Sequence, residues 1–364
     1  METMGLNKEF WKDKRVFITG HTGFKGGWLS LWLQRLGSVT YGYSLKPENK
    51  ENLFEIANVK DQMISKIGNI NNFLDLSSEI KKFEPNIVFH MAAQPLVRRS
   101  YSNPLETFNT NIIGTANVLE SVRLLAHKVS VVNITTDKCY ENREQALGFT
   151  EDQPMGGYDP YSSSKGCSEL LSSSFRRSFF NIDNYDEHQK TLATARAGNV
   201  IGGGDWSSDR LMTDILYALN NKKILKLRNP TSTRPWQHVL EPVYGYLMLA
   251  QLMYDEGPEF GEAWNFGPNP RSNLSVKEIV NKMNQFLSEN KIKWEIDRSK
   301  NSHEAKLLML NITKAKKRLG WKPKLSIEDS LKLVLDWNDA YSKNKKMKDF
   351  TLEQIEFYEN LLSH

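Results

Sequence analysis

Cysteine, long apolar runs and blocks of one charge are all scarce in this sequence. Its 364 residues include only two cysteines, Cys139 and Cys167, which argues against a disulfide framework and gives no metal-ligand spacing. No apolar stretch is long enough to span a bilayer, and the charged N-terminus lacks a signal-peptide core. The net charge of +5 comes from lysines and arginines scattered among acids, so neither nucleic acid nor a membrane surface is indicated as a partner. We therefore expect a cytoplasmic protein without a metal site.

A short apolar strand, Arg15 to Thr19, runs directly into a glycine-rich turn and then into an amphipathic stretch from Trp28 to Leu36. The turn reads Gly20-His-Thr-Gly-Phe-Lys-Gly26. The first glycine permits a tight turn, the second lets the backbone approach a pyrophosphate, and the third allows the helix to pack closely on the strand. The free amides at the start of that helix would hold the pyrophosphate. This order of elements predicts a dinucleotide-binding site.

The residue after the second predicted strand, Ser38 to Tyr43, is Ser44, whereas an acid there would select the free 2′-hydroxyl of NAD. With Lys46 nearby, the choice between NAD and NADP stays open from the residues alone. Asn69 follows a third predicted strand, Gln62 to Ile67, and either bonds the adenine edge or simply forms a turn. The predicted cofactor-binding residues are Gly20, Thr22, Gly23, Phe24, Lys25, Ser44, Asn69, Ile70, Ala92 and Ala93, with Tyr161 and Lys165.

The chemistry is predicted to lie between Val131 and Lys165. A buried strand ends there in Thr135-Thr-Asp-Lys138, at the edge where open α/β sheets place their ligands. Tyr161-Ser-Ser-Ser-Lys165 then opens a helix, and the four-residue step sets the phenol and the ammonium on one face. A free phenol has a pKa of about 10, but a fixed ammonium nearby favours the phenolate. The predicted catalytic residues are Thr136, Asp137, Lys138, Tyr161 and Lys165.

A second region of charge and aromatic residues runs from Arg228 to His238. Arg234 is predicted to bind a diphosphate, because its planar guanidinium matches phosphate oxygens. The predicted substrate-binding residues are Gln94, Arg98, Ser100, Asn199, Arg234, His238 and His303.

The fold class predicted from these patterns is α/β, a Rossmann doubly wound parallel sheet with a smaller C-terminal α/β substrate-binding lobe. At 364 residues the chain is long for one domain and short for three. We predict a nucleotide-binding domain over residues 12–198 with its sheet completed by later segments, a substrate lobe over 199–345, and a helical tail over 346–364. Two predicted helices, Leu105 to Leu125 and Tyr161 to Phe179, have apolar faces suited to a homodimer, or to a tetramer built from it.

With the glycine motif, Thr136-Asp137-Lys138 and Tyr161-x-x-x-Lys165 combined, the chain resembles the extended short-chain dehydrogenase/reductase family. Within it, the chain is similar to nucleotide-sugar 4,6-dehydratases, and three stretches resemble the CDP-glucose group: 20–26, 92–98 and 233–239. The likeness runs from about Lys14 to Trp337. It implies bound NAD, a CDP-sugar substrate, and conversion of CDP-D-glucose to CDP-4-keto-6-deoxy-D-glucose and water. Such a step leads to deoxy and dideoxy sugars of bacterial O-antigen.

The resemblance also implies residue roles. Tyr161, with Thr136 on the same hydroxyl, would take the proton from O4 while C4 is oxidised, and Asp137 would protonate the departing 6-hydroxyl. Lys138 stands where related dehydratases carry the glutamate that removes the C5 proton. An ammonium needs a lowered pKa to act as a base, and Lys138 could instead stabilise the enolate, so the base stays open.

Other functions remain as alternatives. Another nucleotide-sugar 4,6-dehydratase would share every motif, and a 4-epimerase would keep Tyr161 and Lys165 but has no use for Asp137. An NAD(P)-dependent reductase fits the glycines and Ser44. A non-catalytic nucleotide-binding regulator would need only the glycines.

Overall fold

The computed structural model describes residues 6–142, 147–289, 291–297 and 307–363. Within these residues the strands are β1 (Arg15–Thr19), β2 (Val39–Ser44), β3 (Ile64–Ile67), β4 (Ile87–His90), β5 (Val129–Ile134), β6 (Lys190–Ala197), β7 (Val200–Ile201), β8 (Leu225–Leu227), β9 (Thr233–Pro235), β10 (Gln237–His238), β11 (Ala263–Phe266), β12 (Asn273–Ser275) and β13 (Trp294–Ile296). The α-helices are α1 (Lys8–Trp11), α2 (Phe24–Arg35), α3 (Leu53–Ile56), α4 (Phe73–Phe83), α5 (Val97–Ser102), α6 (Pro104–Phe108), α7 (Gly114–Arg123), α8 (Pro160–Ser178), α9 (Tyr185–His188), α10 (Leu211–Asn220), α11 (Leu240–Asp255), α12 (Val276–Phe286), α13 (Ile327–Ser342) and α14 (Met347–Leu362).

Seven of the strands form one parallel sheet in the order β11-β6-β5-β4-β1-β2-β3. Neighbouring residues of a strand enter different apolar clusters, because side chains alternate between the two faces of a sheet. Val16 and Ile18 pack with α2, α11 and α14 on one face, whereas Phe17 packs with α4 and α7 on the other. The predicted Rossmann doubly wound fold is confirmed.

A third apolar cluster forms the core of a smaller lobe. It joins α10, α12 and α13 to β8, with Met212, Ile279 and Leu331 all buried. Three short strand pairs, β7 with β10, β8 with β13 and β9 with β12, lie in this half of the chain. The division at residues 198/199 and 345/346 stays a prediction.

Several predicted element bounds were wrong. Helix α2 begins at Phe24, inside the glycine motif, and β3 begins at Ile64. The predicted helix from Leu105 to Leu125 is α6 and α7 joined by a π-helical turn, Asn109–Ile113. The polar stretch Asn181 to Lys190 contains two short helical turns and the first residue of β6. Local polar composition does not distinguish a loop from a short capped turn.

Helix α14 packs firmly against the nucleotide-binding half of the chain. Its Glu359 accepts hydrogen bonds from Trp32 Nε1 at 2.9 Å and Arg35 Nε at 3.1 Å, both on α2. Its Tyr358 is fully buried and donates to Glu241 Oε2 at 2.6 Å. The part of the predicted tail that forms α14 is therefore part of the core structure.

The effect of pH on thermal stability tests whether Glu241 is buried under α14 as the structure shows. Burial raises the pKa of Glu241 to about 7, against opposing hydrogen bonds from Tyr358 and the amides of Leu325 and Lys324. The folded protein therefore binds an extra proton between about pH 4.5 and 7, so stability falls as pH rises through this window. In thermal melts between pH 5 and 7, Glu241→Gln should reduce this fall in Tm. An unchanged slope would contradict this assignment.

Candidate active site

The polar residues after β5 form a compact group at the carboxyl end of the sheet. Thr136 caps a short 3-10 helix, Asp137–Cys139, and its hydroxyl donates to Asp137 Oδ1 at 3.0 Å. Lys138 Nζ lies 3.4 Å from the same oxygen. Asp137 is fully buried, and its Oδ2 has no hydrogen-bond partner among the described residues. A buried carboxylate oxygen without a partner is costly unless a ligand completes it.

Gly198 makes room for this carboxylate. A Cβ atom at Gly198 would lie 2.5 Å from Asp137 Oδ2. The glycine that follows β6 is therefore required by the site and not by a turn.

Tyr161 and Lys165 lie in the first turns of α8, as predicted, and both are buried. Asp159 caps this helix by accepting from the Ser162 amide at 2.9 Å. Lys165 Nζ donates to the backbone carbonyl of Ile134 at 3.1 Å, which ties the helix to the end of β5. Tyr161 and Asp137 are thus both held near the end of β5.

The expectation that Lys165 favours the phenolate is wrong for this arrangement. Burial raises the pKa of Tyr161 to about 12, and only the Thr136 hydroxyl and Arg210 oppose it appreciably. Burial also lowers the pKa of Lys165 to about 8, with Glu169 acting against it. Spacing along a helix fixes which side chains share a face, but not how far each is removed from water.

A buried ion pair that the sequence reasoning missed holds α8 on the sheet. Glu169 accepts from Arg196 Nε at 2.9 Å and from Arg196 Nη2 at 2.8 Å, and it also accepts from the hydroxyls of Thr135 and Thr194. Both charged side chains are at most 4% exposed. Two signals were available: Glu169 lies four residues after Lys165 on the same helix face, and Arg196 places a charge among the small residues at the end of β6.

The glycine turn has the geometry of a dinucleotide site. Gly20 has φ +80°, and a Cβ there would lie 2.7 Å from the Ala92 amide nitrogen. A Cβ at Gly26 would lie 2.1 Å from the Gly20 carbonyl oxygen. Helix α2 starts without a side-chain cap, so its first amides are free to bind an anion. These residues fit a bound pyrophosphate.

The remaining predicted cofactor residues lie around this turn. Thr22 Oγ1 lies 2.8 Å from Ser44 Oγ and donates to the Leu45 carbonyl at 2.9 Å, which links the turn to the end of β2. Asn69 Oδ1 accepts from the Asn71 amide at 3.0 Å, so in the structure it forms a turn. Ile70 packs against Gly114, and Phe24 against Gly202.

A cavity of about 1030 Å³ lies between the sheet edge and the smaller lobe. The predicted residues that line it are Lys25, Ala93, Arg98, Thr136, Asp137, Lys138, Tyr161, Lys165, Asn199 and Arg234. Arg210 also lines it, and sequence reasoning missed this residue because it lies in a loop without a motif. The structure therefore brings the proposed acid, phenol and phosphate-binding arginine into one space.

Three predicted substrate residues do not line this cavity. Gln94 is buried and donates to Thr107 Oγ1 at 2.8 Å, where it supports a loop. Ser100 is fully buried and donates to the Val97 carbonyl at 2.6 Å. His238 is fully buried with its ring edge-on to Trp28 at 5.8 Å between centroids. His303 lies outside the described residues.

Comparison with known proteins finds a family match over most of the chain. The sequence model of the family described as GDP-mannose 4,6 dehydratase matches residues 17–334. The chain is 49% identical over 353 residues to a CDP-glucose 4,6-dehydratase of Salmonella typhimurium, covering 97% of this chain and 98% of the relative.

Solved structures of other proteins have the same fold as this chain. A dTDP-glucose 4,6-dehydratase from Bacillus anthracis in complex with NAD superposes with a TM-score of 0.74 at 21% identity, covering 92% of this chain and 99% of that one. A UDP-glucuronic acid 4-epimerase from Bacillus cereus, in complex with UDP-glucuronic acid and NAD, gives 0.76 at 20% identity, covering 90% and 99%. Dehydratases and epimerases thus share this architecture.

Among the described residues, no helix is long and apolar enough to cross a membrane.

Proposed function

We propose, from the premise that this chain belongs to the GDP-mannose 4,6-dehydratase family, that it is a CDP-D-glucose 4,6-dehydratase. It converts CDP-D-glucose to CDP-4-keto-6-deoxy-D-glucose and water. The observation that carries the proposal is the buried Asp137 carboxylate in the same cavity as Tyr161. A dehydratase needs such an acid to protonate a leaving hydroxyl. The 49% identity to the Salmonella enzyme supports CDP-glucose as the substrate.

NAD held at the glycine turn would supply an acceptor for the hydride from C4 of the sugar and a donor of that hydride to C6. Tyr161 takes the proton from the 4-hydroxyl, and Thr136, whose hydroxyl interacts with the phenol, holds the same oxygen. Arg210 also favours the phenolate, so its positive charge partly offsets the effect of burial on Tyr161. The 4-ketone makes the C5 proton acidic. Asp137 then gives a proton to the 6-hydroxyl, which leaves as water. C5 loses its proton in the same step and regains one when the hydride reaches C6.

The nucleotide sugar is expected to span the cavity from this acid to the smaller lobe. Arg234 lies half-buried in the wall and matches a diphosphate through its planar guanidinium. Arg98 and Asn199 line the same wall. The glycine turn before α2 would hold the cofactor pyrophosphate.

Lys138 is proposed to act in elimination. Its ammonium lies next to Asp137, where it can stabilise the negative charge that develops when C5 loses its proton. Lys138→Ala should therefore retain C4 oxidation but slow elimination by about a hundredfold, as for loss of one stabilising donor. The check is single-turnover absorbance near 340 nm, which should show reduced cofactor accumulating. Unaltered turnover would show that Lys138 has no part in the step.

The substrate assignment is tested with CDP-, dTDP- and GDP-hexoses, assayed for a 4-keto-6-deoxy product by its alkaline ultraviolet absorbance. We expect product from CDP-D-glucose. Product from only another nucleotide would make the chain a different 4,6-dehydratase, and a C4 epimer without water loss would make it an epimerase. Stoichiometric consumption of NADPH would instead favour a reductase.

We propose that the reaction takes place in the cytoplasm, where nucleotide sugars and NAD are found, and supplies deoxy and dideoxy sugars of O-antigen.

We also propose a homodimer, or a tetramer built from it. Apolar side chains are exposed on the two helices that would form the interface: Leu105, Ile113, Leu124, Leu170 and Phe179. Analytical ultracentrifugation that shows a monomer at micromolar concentration would contradict this assembly.

A further inference from the structure

The carboxyl end of β2 lies beside the glycine turn and carries an uncharged residue. Ser44 is the last residue of β2 and is mostly buried, and its Oγ lies 2.8 Å from Thr22 Oγ1 in that turn. Thr22 donates its own proton to the Leu45 carbonyl at 2.9 Å, so Ser44 is the donor to Thr22 and its oxygen can accept a further bond. In Rossmann folds the side chain at this strand end meets the adenosine ribose, and an acid there selects a free 2′-hydroxyl.

The acids on the neighbouring helix α4 lie on the other face of the sheet. Tyr41 and Tyr43 of β2 belong to the apolar cluster that α4 covers. Their hydroxyls donate to Glu79 and, at 2.7 Å, to Asp75. Because side chains alternate between the two faces of a strand, Ser44 points to the opposite side, where the glycine turn lies. The carboxylates of α4 therefore do not take the place of the missing acid.

The acids that follow β2 in the chain are bound to other elements. Glu48 Oε1 accepts from Arg99 Nη1 on α5 at 2.5 Å. Glu51 Oε1 accepts from the Tyr341 hydroxyl on α13 at 2.8 Å. In the described part of the chain, neither carboxylate bonds to Ser44. A ribose at the end of β2 would thus meet a hydroxyl and not an acid.

A lysine follows Ser44 at short distance. Lys46 is exposed, and among the residues that the structure describes its ammonium has no hydrogen bond or ion pair. Two residues of chain span at most about 7 Å. Charges are largely screened at physiological salt only beyond about 8 Å. An exposed and unpaired lysine at this distance can turn its ammonium toward an anion bound at Ser44.

We propose that the cofactor site takes NADP as well as NAD, and this rests on the proposed binding of the dinucleotide at the glycine turn. The 2′-hydroxyl of NAD donates to Ser44 Oγ. The 2′-phosphate of NADP meets no carboxylate there, accepts the Ser44 proton in place of Thr22, and is attracted by Lys46. Ser44 is thus the residue that determines cofactor specificity, and Lys46 supplies a charge that the phosphate needs.

The proposal is tested by titrating nucleotide-free protein with NADH and with NADPH, following the fluorescence of the reduced nicotinamide. Wild type should bind NADPH with a Kd within about tenfold of its Kd for NADH. Raising NaCl from about 50 mM to about 300 mM should weaken binding of NADPH more than binding of NADH, because salt screens the charge of the additional phosphate.

Two variants at the end of β2 separate the roles of the two residues. Ser44→Asp should raise the ratio of the NADPH Kd to the NADH Kd about a hundredfold, because the new carboxylate would face the 2′-phosphate. Lys46→Met should raise the same ratio about tenfold, as for loss of one hydrogen bond to a charged group. Lys12→Met is the control. It removes an exposed lysine beside Gly37, at the amino end of the same strand, and should leave the ratio unchanged.

Three results would overturn the proposal. If wild type binds NADH but shows no NADPH binding at about a hundred times the NADH Kd, the site excludes the 2′-phosphate. If Ser44→Asp keeps the wild-type ratio, the ribose does not lie at Ser44, and if Lys46→Met keeps it, another group binds the phosphate. If a thermal melt shows that Ser44→Asp does not fold, the wild-type ratio and Lys46→Met decide. Failure of wild type to bind either dinucleotide would overturn the proposed function as well.

Discussion

Tyr161→Phe is expected to lower kcat for CDP-glucose dehydration by about three orders of magnitude, within the usual contribution of a positioned general base. The substitution removes only the phenol oxygen, which interacts with Thr136 and faces the cavity. The ring remains buried at the start of α8, so Tm and NAD affinity should stay near their wild-type values. Steady-state kinetics, a thermal melt and a cofactor titration on one preparation separate these effects.

Tyr101→Phe is the matched control. Tyr101 is exposed at the end of α5 and does not line the cavity, so kcat should be unchanged. A Tyr161→Phe enzyme that keeps kcat within tenfold of wild type would assign proton removal from the 4-hydroxyl to another group.

Glu169→Ala is expected to reduce the free energy of unfolding by about 3–5 kcal/mol, because it leaves the buried Arg196 guanidinium without its counter-charge. Glu169 also accepts from Thr135 on the β5 side and from Thr194 on β6. Its loss should therefore loosen α8, which carries Tyr161, and lower kcat too. Urea denaturation and kinetics at 20 °C, below the transition, measure the two effects.

The control for this prediction is Glu120→Ala on α7. Glu120 pairs with Arg123 three residues later, and both side chains are more than a third exposed. A surface pair of this kind contributes about 0–1 kcal/mol. Equal losses in the two variants would show that the Glu169 pair contributes no more than a surface pair.

The residues that sequence reasoning located correctly are those whose neighbours are close in the chain. The strand, glycines and helix from Arg15 to Arg35 form one local unit, and each glycine is required by backbone that lies close by, as at Gly20 and Gly26. Tyr161 and Lys165 share a helix face through their spacing alone. Their roles remain proposals, although their positions in one cavity agree with the prediction.

What could not be predicted depends on contacts between distant segments. Arg196 and Glu169 are 27 residues apart, and the pairing requires β6 to lie beside β5. Gln94 and Ser100 were assigned to substrate from their neighbourhood, but the direction of a loop side chain depends on its local hydrogen bonds. The raised pKa of Tyr161 likewise follows from tertiary burial, which helix spacing does not reveal.

Helix α14 also has a consequence for how the protein is made. It covers α2, a helix more than 300 residues earlier, through contacts between Glu359 and both Trp32 and Arg35. During synthesis these segments leave the ribosome in order, and early domains usually fold first. Here the nucleotide-binding half lacks β11 until residue 266 has left the ribosome and lacks α14 until residue 362 has, so we expect the nascent chain to expose Trp32 and Tyr244 to chaperones until then.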